Sequence, residues 1–260
     1  SGAPAMIEEG ALEAPAPEAI FGLHVYPLPL NTFGYRAGGF MASSDALRIV
    51  VRGRQTHGAL PWGGIDPITV AAQIILGLQT IPSRQMDIAT APSIVTIGMI
   101  RGGVRLNIIP DSVELVGTIR TLDPGHRTDI HARVRRTAEQ IAQSAGATAD
   151  VRIDLGAAVT YNDPELTRRM IPTLQRVAGN DRVDEVPAQT TAEDFSAFQA
   201  KIPGLYFFLG IVPADRDAAT APRNHSPLFY VDENALPLGV RALAHLAVDY
   251  LARDPSAKQD

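Results

Sequence analysis

The chain has 260 residues, with 23 Lys or Arg against 28 Asp or Glu, a formal net charge of -5 and no cysteine. At 45% hydrophobic and 20% charged it has an ordinary globular composition, which excludes a disordered or low-complexity chain. The missing cysteines exclude thiol nucleophiles, zinc-finger tetrads, iron–sulfur ligation and disulfide frameworks.

A chain of this length buries roughly 70–75% of its unfolded surface and needs no staple to fold. Its mild acidity, with basic residues dispersed, argues against nucleic-acid and membrane partners. The longest apolar runs, such as 205–212, fall short of the roughly 20 residues of a membrane span. The opening Ser1-Gly2-Ala3-Pro4 is neither an initiator methionine nor a signal peptide, so the N-terminus is expected to be processed or cut.

In chain order, residues 1–42 are rich in Ala, Pro and Gly, with a helical start expected over 5–12. An apolar strand is expected over 19–25, closed by Pro27 and Pro29. From Asp45, Leu47, Ile49 and Val51 alternate with Arg48 and Arg52, the mark of a strand with one wet face. Asp66-Pro67 supplies an N-cap and a first-turn proline for a helix whose apolar stripe is Ile68, Ala71, Ile74, Ile75 and Leu78. Strands follow at 93–100 and 112–121. A second helix opens at Asp123-Pro124, with Ile130, Val134, Ala138 and Ile141 on one face, and stops at Gly146. A last alternating strand covers 149–155.

The order β-α-β-β-α-β over 45–155 is that of a ferredoxin-like unit. Beyond Gly156, helices are expected at 164–178, near 194–200 and at 233–252, around a continuous apolar strand at 205–212. Such a strand belongs to a sheet covered on both faces. The simplest architecture is an α/β domain formed by residues 1–43 and 157–260, interrupted by a ferredoxin-like α+β domain at 44–156. The polar tail 253–260 is expected to fray.

Histidines are the first place to look for chemistry, as metal ligands or acid–base groups. His24 stands where the first apolar strand should end, and strand ends build sites in α/β sheets; taken alone, a hydrogen-bonded core histidine explains it better. His225 lies in the loop Asn224-His225-Ser226-Pro227, and His57 in a glycine-flanked loop after the first strand of the inserted domain. His126 and His131 are expected on a helix surface and His245 in packing or on the surface of the last helix, all three without a role. Glu8-Glu9 suggests a carboxylate pair, but neighbours on a helix point about 100° apart and do not converge. Glu193-Asp194 precedes a short helix, where acids cap and complement the dipole, or face a site and orient a ligand. No nucleophile elbow, phosphate loop, dinucleotide fingerprint or His-Glu-x-x-His string is present.

Five strings occur in order: Phe21-Gly22-Leu23-His24-Val25, Asn107-Ile108-Ile109-Pro110-Asp111, Gly117-Thr118-Ile119-Arg120-Thr121, Glu193-Asp194-Phe195-Ser196 and Asn224-His225-Ser226-Pro227. Together they resemble the co-catalytic metallo-amidohydrolases of the aminoacylase, hippurate hydrolase and auxin-conjugate hydrolase type, from Met6 to about Leu251. The resemblance implies an α/β metallopeptidase-type metal domain carrying a ferredoxin-like lid used for homodimerisation. It implies two divalent cations, zinc by default with manganese, cobalt or nickel as alternatives.

Carried over by position, His24 and His225 are metal ligands. His57 stabilises the oxyanion in the partner's site, Asn107 and Arg120 bind substrate polar groups, Arg120 the α-carboxylate, and Glu193 lies near the metals. The family's His-x-Cys-Gly-His segment is absent, and its Glu-Glu-Gly segment belongs upstream of Gly2-Ala3-Pro4-Ala5-Met6. The chain is therefore expected to be the C-terminal portion of a longer enzyme, inactive by itself and acting, when whole, on N-acyl amino acids. The alternatives are a non-catalytic dimerising or ligand-binding scaffold, and a dipeptidase or carboxypeptidase of the same architecture. Compartment does not follow from these residues.

Overall fold

The structure, a computed structural model, describes residues 2–252; the tail expected to fray lies outside the described residues. The chain divides into two compact units. Unit 1 holds the residues up to Phe40, Thr160–Gln189 and those from Asp194 onward; unit 2 holds Met41–Val159 and Thr190–Glu193.

Unit 1 begins with α1 (Gly2–Glu8), β1 (Ile20–Pro29), β2 (Phe33–Tyr35) and β3 (Gly38–Met41), whose last residue already counts with unit 2. Unit 2 follows as β4 (Asp45–Arg52), β5 (Thr56–His57), α2 (Pro67–Thr80), β6 (Ser93–Gly102), β7 (Ile108–Ile109), β8 (Ser112–Thr121), α3 (Pro124–Ser144) and β9 (Thr148–Asp154). The chain returns to unit 1 as β10 (Thr160–Asn162), α4 (Pro164–Ala178), β11 (Val183–Glu185), α5 (Ser196–Gln199), β12 (Gly204–Val212) and α6 (Leu236–Ala252).

In unit 1 the sheet order is β1-β12-β2-β11. All nine residues of β12 are buried. Leu205, Phe207, Leu209 and Ile211 share one core with Leu166, Met170 and Leu174 of α4 and Leu238, Ala242 and Leu246 of α6. The intervening Tyr206 and Phe208 meet rings instead: Phe195 lies 5.0 Å from Tyr206, and Phe40 and Tyr26 lie 4.5 and 4.1 Å from Phe208. The expected two-sided cover is thus met by long helices on one side and by aromatic side chains on the other.

β1 pairs in parallel with β12 from Ile20↔Gly204 to Tyr26↔Gly210, passes Pro27 with a register shift and ends at Pro29, the second of the two prolines expected to close it. It is an edge strand of this sheet among the described residues, and an edge tolerates residues without an N–H. α1 starts earlier than residue 5 because the Asp194 carboxylate accepts the Ala3 N–H at 3.0 Å, a partner 191 positions away. Buried Asn162 satisfies its whole amide: Nδ2 donates to the carbonyls of Arg36 and Tyr206, and Oδ1 accepts from Tyr206 N and Gln199 Nε2. By length and composition, residues 233–252 do suffice to cross a membrane, contrary to the expectation from apolar runs; in the fold, α6 turns Leu238, Gly239, Ala242 and Leu246 into the core.

Unit 2 has the antiparallel order β9-β4-β8-β6, the strand order of a ferredoxin-like unit. Leu47, Ile49, Val51, Val113, Leu115 and Ile119 pack against Ile74 and Leu78 of α2 and Ile130, Val134 and Ala138 of α3. Both helices start at the expected caps: Asp66 accepts the N–H of Ile68 and Thr69, and Asp123 that of His126. The α2 stripe is rotated from the expected one, with Val70 buried and Ile68 48% exposed in the first turn. Gly117 is required in β8, because a Cβ there would lie 1.8 Å from the Thr96 carbonyl oxygen, beside the register shift between Ile97 and Met99.

His131 is not the surface residue its helix position suggested. Its Nε2 lies 2.9 Å from Oδ2 of Asp45, whose side chain is fully buried at the start of β4. Arg127 grips the same carboxylate through Nε and Nη2, and Gly156 N–H donates to it at 3.1 Å. Burial alone would raise the Asp45 carboxyl, but the Arg127 and Gly156 hydrogen bonds and the charges of Arg127 and His131 outweigh it and hold the group below its ordinary value. A carboxyl that titrates lower in the folded than in the unfolded state stabilises fully above the unfolded value of about 3.9 and loses that contribution as pH falls through the lower, folded one. Asp45→Asn should therefore cost roughly 3 kcal/mol at pH 7 and flatten the acid limb of a stability–pH profile measured by urea unfolding. An unchanged acid limb would show that Asp45 is not its source.

Candidate active site

The candidate residues fall into separate groups within the two units. In unit 1, β1 delivers His24 and the loop after β12 delivers His225. The His24 Nδ1 lies 2.7 Å from the Val25 carbonyl oxygen, too short for two lone pairs to face each other, so Nδ1 carries the proton and donates. Nε2 is then left as an open lone pair, the form in which a neutral imidazole binds a metal.

The loop is fastened to the same strand. Asn224 Nδ2 donates to the Val25 carbonyl at 3.0 Å. Arg223 Nη1 donates to the Tyr26 hydroxyl at 3.0 Å, which in turn donates to Gln189 Oε1 at 2.7 Å. The Tyr26 ring stacks on Phe208, 4.1 Å away and 6° from parallel. His225 itself is exposed and holds φ at 70°, a left-handed conformation that is strained for a residue with a Cβ.

Gly22, two residues before His24, lies under Phe195, whose ring a Cβ would meet at 2.6 Å. That close approach seats the string Glu193-Asp194-Phe195-Ser196 against β1. Its Asp194 accepts the Ala3 N–H at the start of α1, a different helix from the one it precedes and was expected to cap, while Glu193 is half-buried at the end of the segment that returns to unit 2.

In unit 2, His57 and Asn107 stand together at the short β5–β7 ladder, where His57 pairs with Ile108 and Gly58 N–H donates to the Asn107 carbonyl at 2.8 Å. His57 Nδ1 accepts the Ala59 N–H at 3.1 Å, so its proton sits on Nε2, on an exposed ring. The two histidines are set oppositely: His24 keeps a lone pair on Nε2 and His57 keeps a proton there. Arg120 is near the far end of β8, with Nη1 donating to the Thr190 carbonyl at 3.3 Å. Among the described residues, no three His, Cys, Asp or Glu side chains converge as a metal cage. The freed Nε2 of His24 fits a metal, but these residues make only part of a coordination sphere.

Sequence reasoning gave no role to Tyr26, Gln189, Arg223 or Asn224. The only local signal was adjacency, since Tyr26 lies two residues past His24, and Arg223 and Asn224 directly precede His225.

Comparison with known proteins places the chain in a family. The model of peptidase family M20/M25/M40 matches residues 1–249, and the chain belongs to that family. It is 38% identical to thermostable carboxypeptidase 2 of Saccharolobus solfataricus over 96% of this chain and 62% of that protein. It is 33% identical to the IAA-amino acid hydrolase ILR1-like 2 of Arabidopsis thaliana over 98% of this chain and 58% of that one. A solved Bacillus subtilis structure, described as a dinuclear metal binding peptidase of the M20 family, superposes with a TM-score of 0.79 at 32% identity, covering 98% of this chain and 62% of that one. The chain thus spans about three fifths of the length of these relatives.

The strain at His225 has a measurable consequence. His225→Val, though on an exposed loop, should lower stability by about 1–2 kcal/mol, whereas His225→Gly should be neutral or stabilising. Urea denaturation of the three forms checks this, and equal midpoints would show the loop relaxes freely.

Proposed function

We propose that this chain serves a metal-dependent amidohydrolase that cleaves the amide bond of N-acyl amino acids, with the remaining metal ligands and the general base supplied by residues outside these 260. The observation that carries the reading is the open Nε2 of His24 beside the anchored Asn224-His225 loop, in a member of a family with a dinuclear relative. His24 and His225 would hold the cations. When bound, two divalent cations would acidify a water toward neutral pH and polarise the scissile carbonyl. His57, with its proton on Nε2, would donate to the developing oxyanion. Arg120 would take the substrate carboxylate as a planar bidentate fork and Asn107 its polar groups, while Glu193 would orient a ligand. The carboxypeptidase relative favours a second reading, a peptidase in which Arg120 holds a peptide's C-terminal carboxylate.

Unit 2 is read as an inserted lid through which two copies pair. β6 is an open edge of the sheet, and Ile68, Leu76 and Ile100 stand exposed on α2 and β6. A further support is internal to unit 2. The β5–β7 ladder adjoins the end of the sheet where Arg52 pairs with Ser112, and Arg120 lies eight residues further along β8, about 26 Å at 3.3 Å per residue. One copy's His57 and Arg120 cannot both reach a single N-acyl amino acid, so His57, with Asn107 beside it, is assigned to the partner's substrate, where Asn107 meets polar groups of that molecule. Zinc suits the histidine ligands best, with manganese, cobalt and nickel as alternatives.

Two measurements test this reading. The 260-residue chain alone should not turn over N-acetyl amino acids or dipeptides with Zn2+ or Mn2+ present, and turnover by it would end the proposal that other residues complete the site. In the full-length protein, His24→Ala and His57→Ala should each lose at least about 100-fold in kcat, and mixing and re-equilibrating the two inactive variants should restore up to a quarter of the wild-type rate per total active-site count. No recovery from verified mixed dimers would place His57 in its own copy's site.

A further inference from the structure

We infer that a cavity beside His24 is a subsite for the acyl half of the substrate, built for an aliphatic chain that ends in a carboxylate. This deepens the reading of the chain as part of an N-acyl amino acid hydrolase and rests on it. His24 and Tyr26 are two residues apart on β1, so their side chains share one face of the strand, about 7 Å apart at about 3.3 Å per residue. Phe208, the register partner of His24, carries the stacked Tyr26 ring. Beside that ring lies a cavity of about 310 Å³ that reaches Arg223, two residues before His225 in the loop. It lies wholly within unit 1 and borders the elements that carry both candidate ligands.

Its lining has an aliphatic part and a polar end. Leu28, Val186, Pro187 and Ala218 make the walls, and Leu28 and Val186 close over Gly34, where a Cβ would lie 2.7 Å from Leu28. The polar end is a relay of Gln189, Tyr26 and Arg223, each oriented by the next. Gln189 Nε2 donates to the Pro187 carbonyl at 2.8 Å, which leaves Oε1 to accept the Tyr26 proton. The Tyr26 oxygen in turn accepts from Arg223 Nη1, and the guanidinium carbon lies 5.8 Å from the Tyr26 ring centre.

A guanidinium held in this way keeps all but one of its N–H groups for another partner. No acid lines the cavity, and Asp217, which precedes Ala218, is turned to the Ala219 N–H and the Thr220 hydroxyl. Arg223 pairs with no carboxylate among the described residues. An oriented, unneutralised fork at the end of an aliphatic wall matches a carboxylate on a short alkyl chain. With Arg120 read as the holder of the amino-acid carboxylate, the acyl half is what remains to enter. A span of about 7 Å is roughly five or six bonds at about 1.2 Å each, the length of a glutaryl group.

The test has two arms. In the full-length protein, kcat/KM for N-glutaryl amino acids should exceed that for their N-pentanoyl analogues of equal length by at least about 10-fold. Arg223→Met should erase that preference, and Arg223→Lys, which keeps the charge without the fork, should retain part of it. A wild type without the preference, or equal losses on both acyl groups in Arg223→Met, overturns the subsite and leaves Arg223 a loop anchor. Tyr26→Phe keeps the stacked ring but releases the guanidinium; it should cut the preference at least about threefold, and it decides the matter if Arg223→Met fails to fold. The second arm uses the 260-residue chain without metal and follows the Arg223 side-chain N–H signals by NMR. Glutaric acid monomethylamide should shift them saturably, whereas neutral N-methylpentanamide should not. Signals unmoved by the acid overturn the subsite. A full-length protein that cleaves neither acyl series ends the hydrolase reading instead, and the binding arm then decides the cavity by itself.

Discussion

β12 has no solvent face, and a strand of that kind must be paired along its edges and covered on both sides before its nine residues can leave water. Nearly every other part of unit 1 answers that demand. β1 and β2 take its two edges, α4 and α6 cover the Leu205–Ile211 face, and rings from β1, β3 and the segment before α5 cover Tyr206 and Phe208. The candidate site inherits its rigidity from this arrangement. His24 is on the strand paired with β12, and its loop is fastened to Tyr26, whose ring is stacked on Phe208. The His24 side chain is thereby placed by a core and not by a free loop.

How much of this was legible depended on how local the cause was. Asp66 and Asp123 were readable as caps because the partner N–H groups lie two or three residues away, and β4, β8 and the two long helices of unit 2 follow from period 2 and period 3.6 alone. β2, β3, β10 and β11 were not read: each is three or four residues long, too short for a pattern, and held by strands far off in the chain. The Asp45–His131 contact spans 86 positions and the Asp194–Ala3 cap 191, so composition around either residue says nothing of its partner. His131 read as a surface helix position because its polar partner is buried in another strand.

The candidate site divides along the same line. The five strings pointed to His24, Asn107, Arg120, Glu193 and His225, and the resemblance they carry pointed to His57, since a resemblance carries residue positions across distances that periodicity cannot. It could not say that the two key imidazoles are held in opposite protonation patterns, because each pattern is set by one backbone group, the Val25 carbonyl for His24 and the Ala59 N–H for His57. One ring is thereby prepared to give an electron pair and the other to give a hydrogen bond, from the same residue type.

The Asp45 carboxylate has a consequence for engineering. It opens β4, and it accepts the N–H of Gly156, just past the end of β9. The two ends of the segment 45–156 thus stand within a single hydrogen bond of each other. A segment whose ends meet can be excised and its flanks rejoined through a short turn, or closed on itself and reopened at an exposed loop as a circular permutant. The long intervening stretch is, in topological terms, a detachable cassette, and one acidic side chain is its clasp.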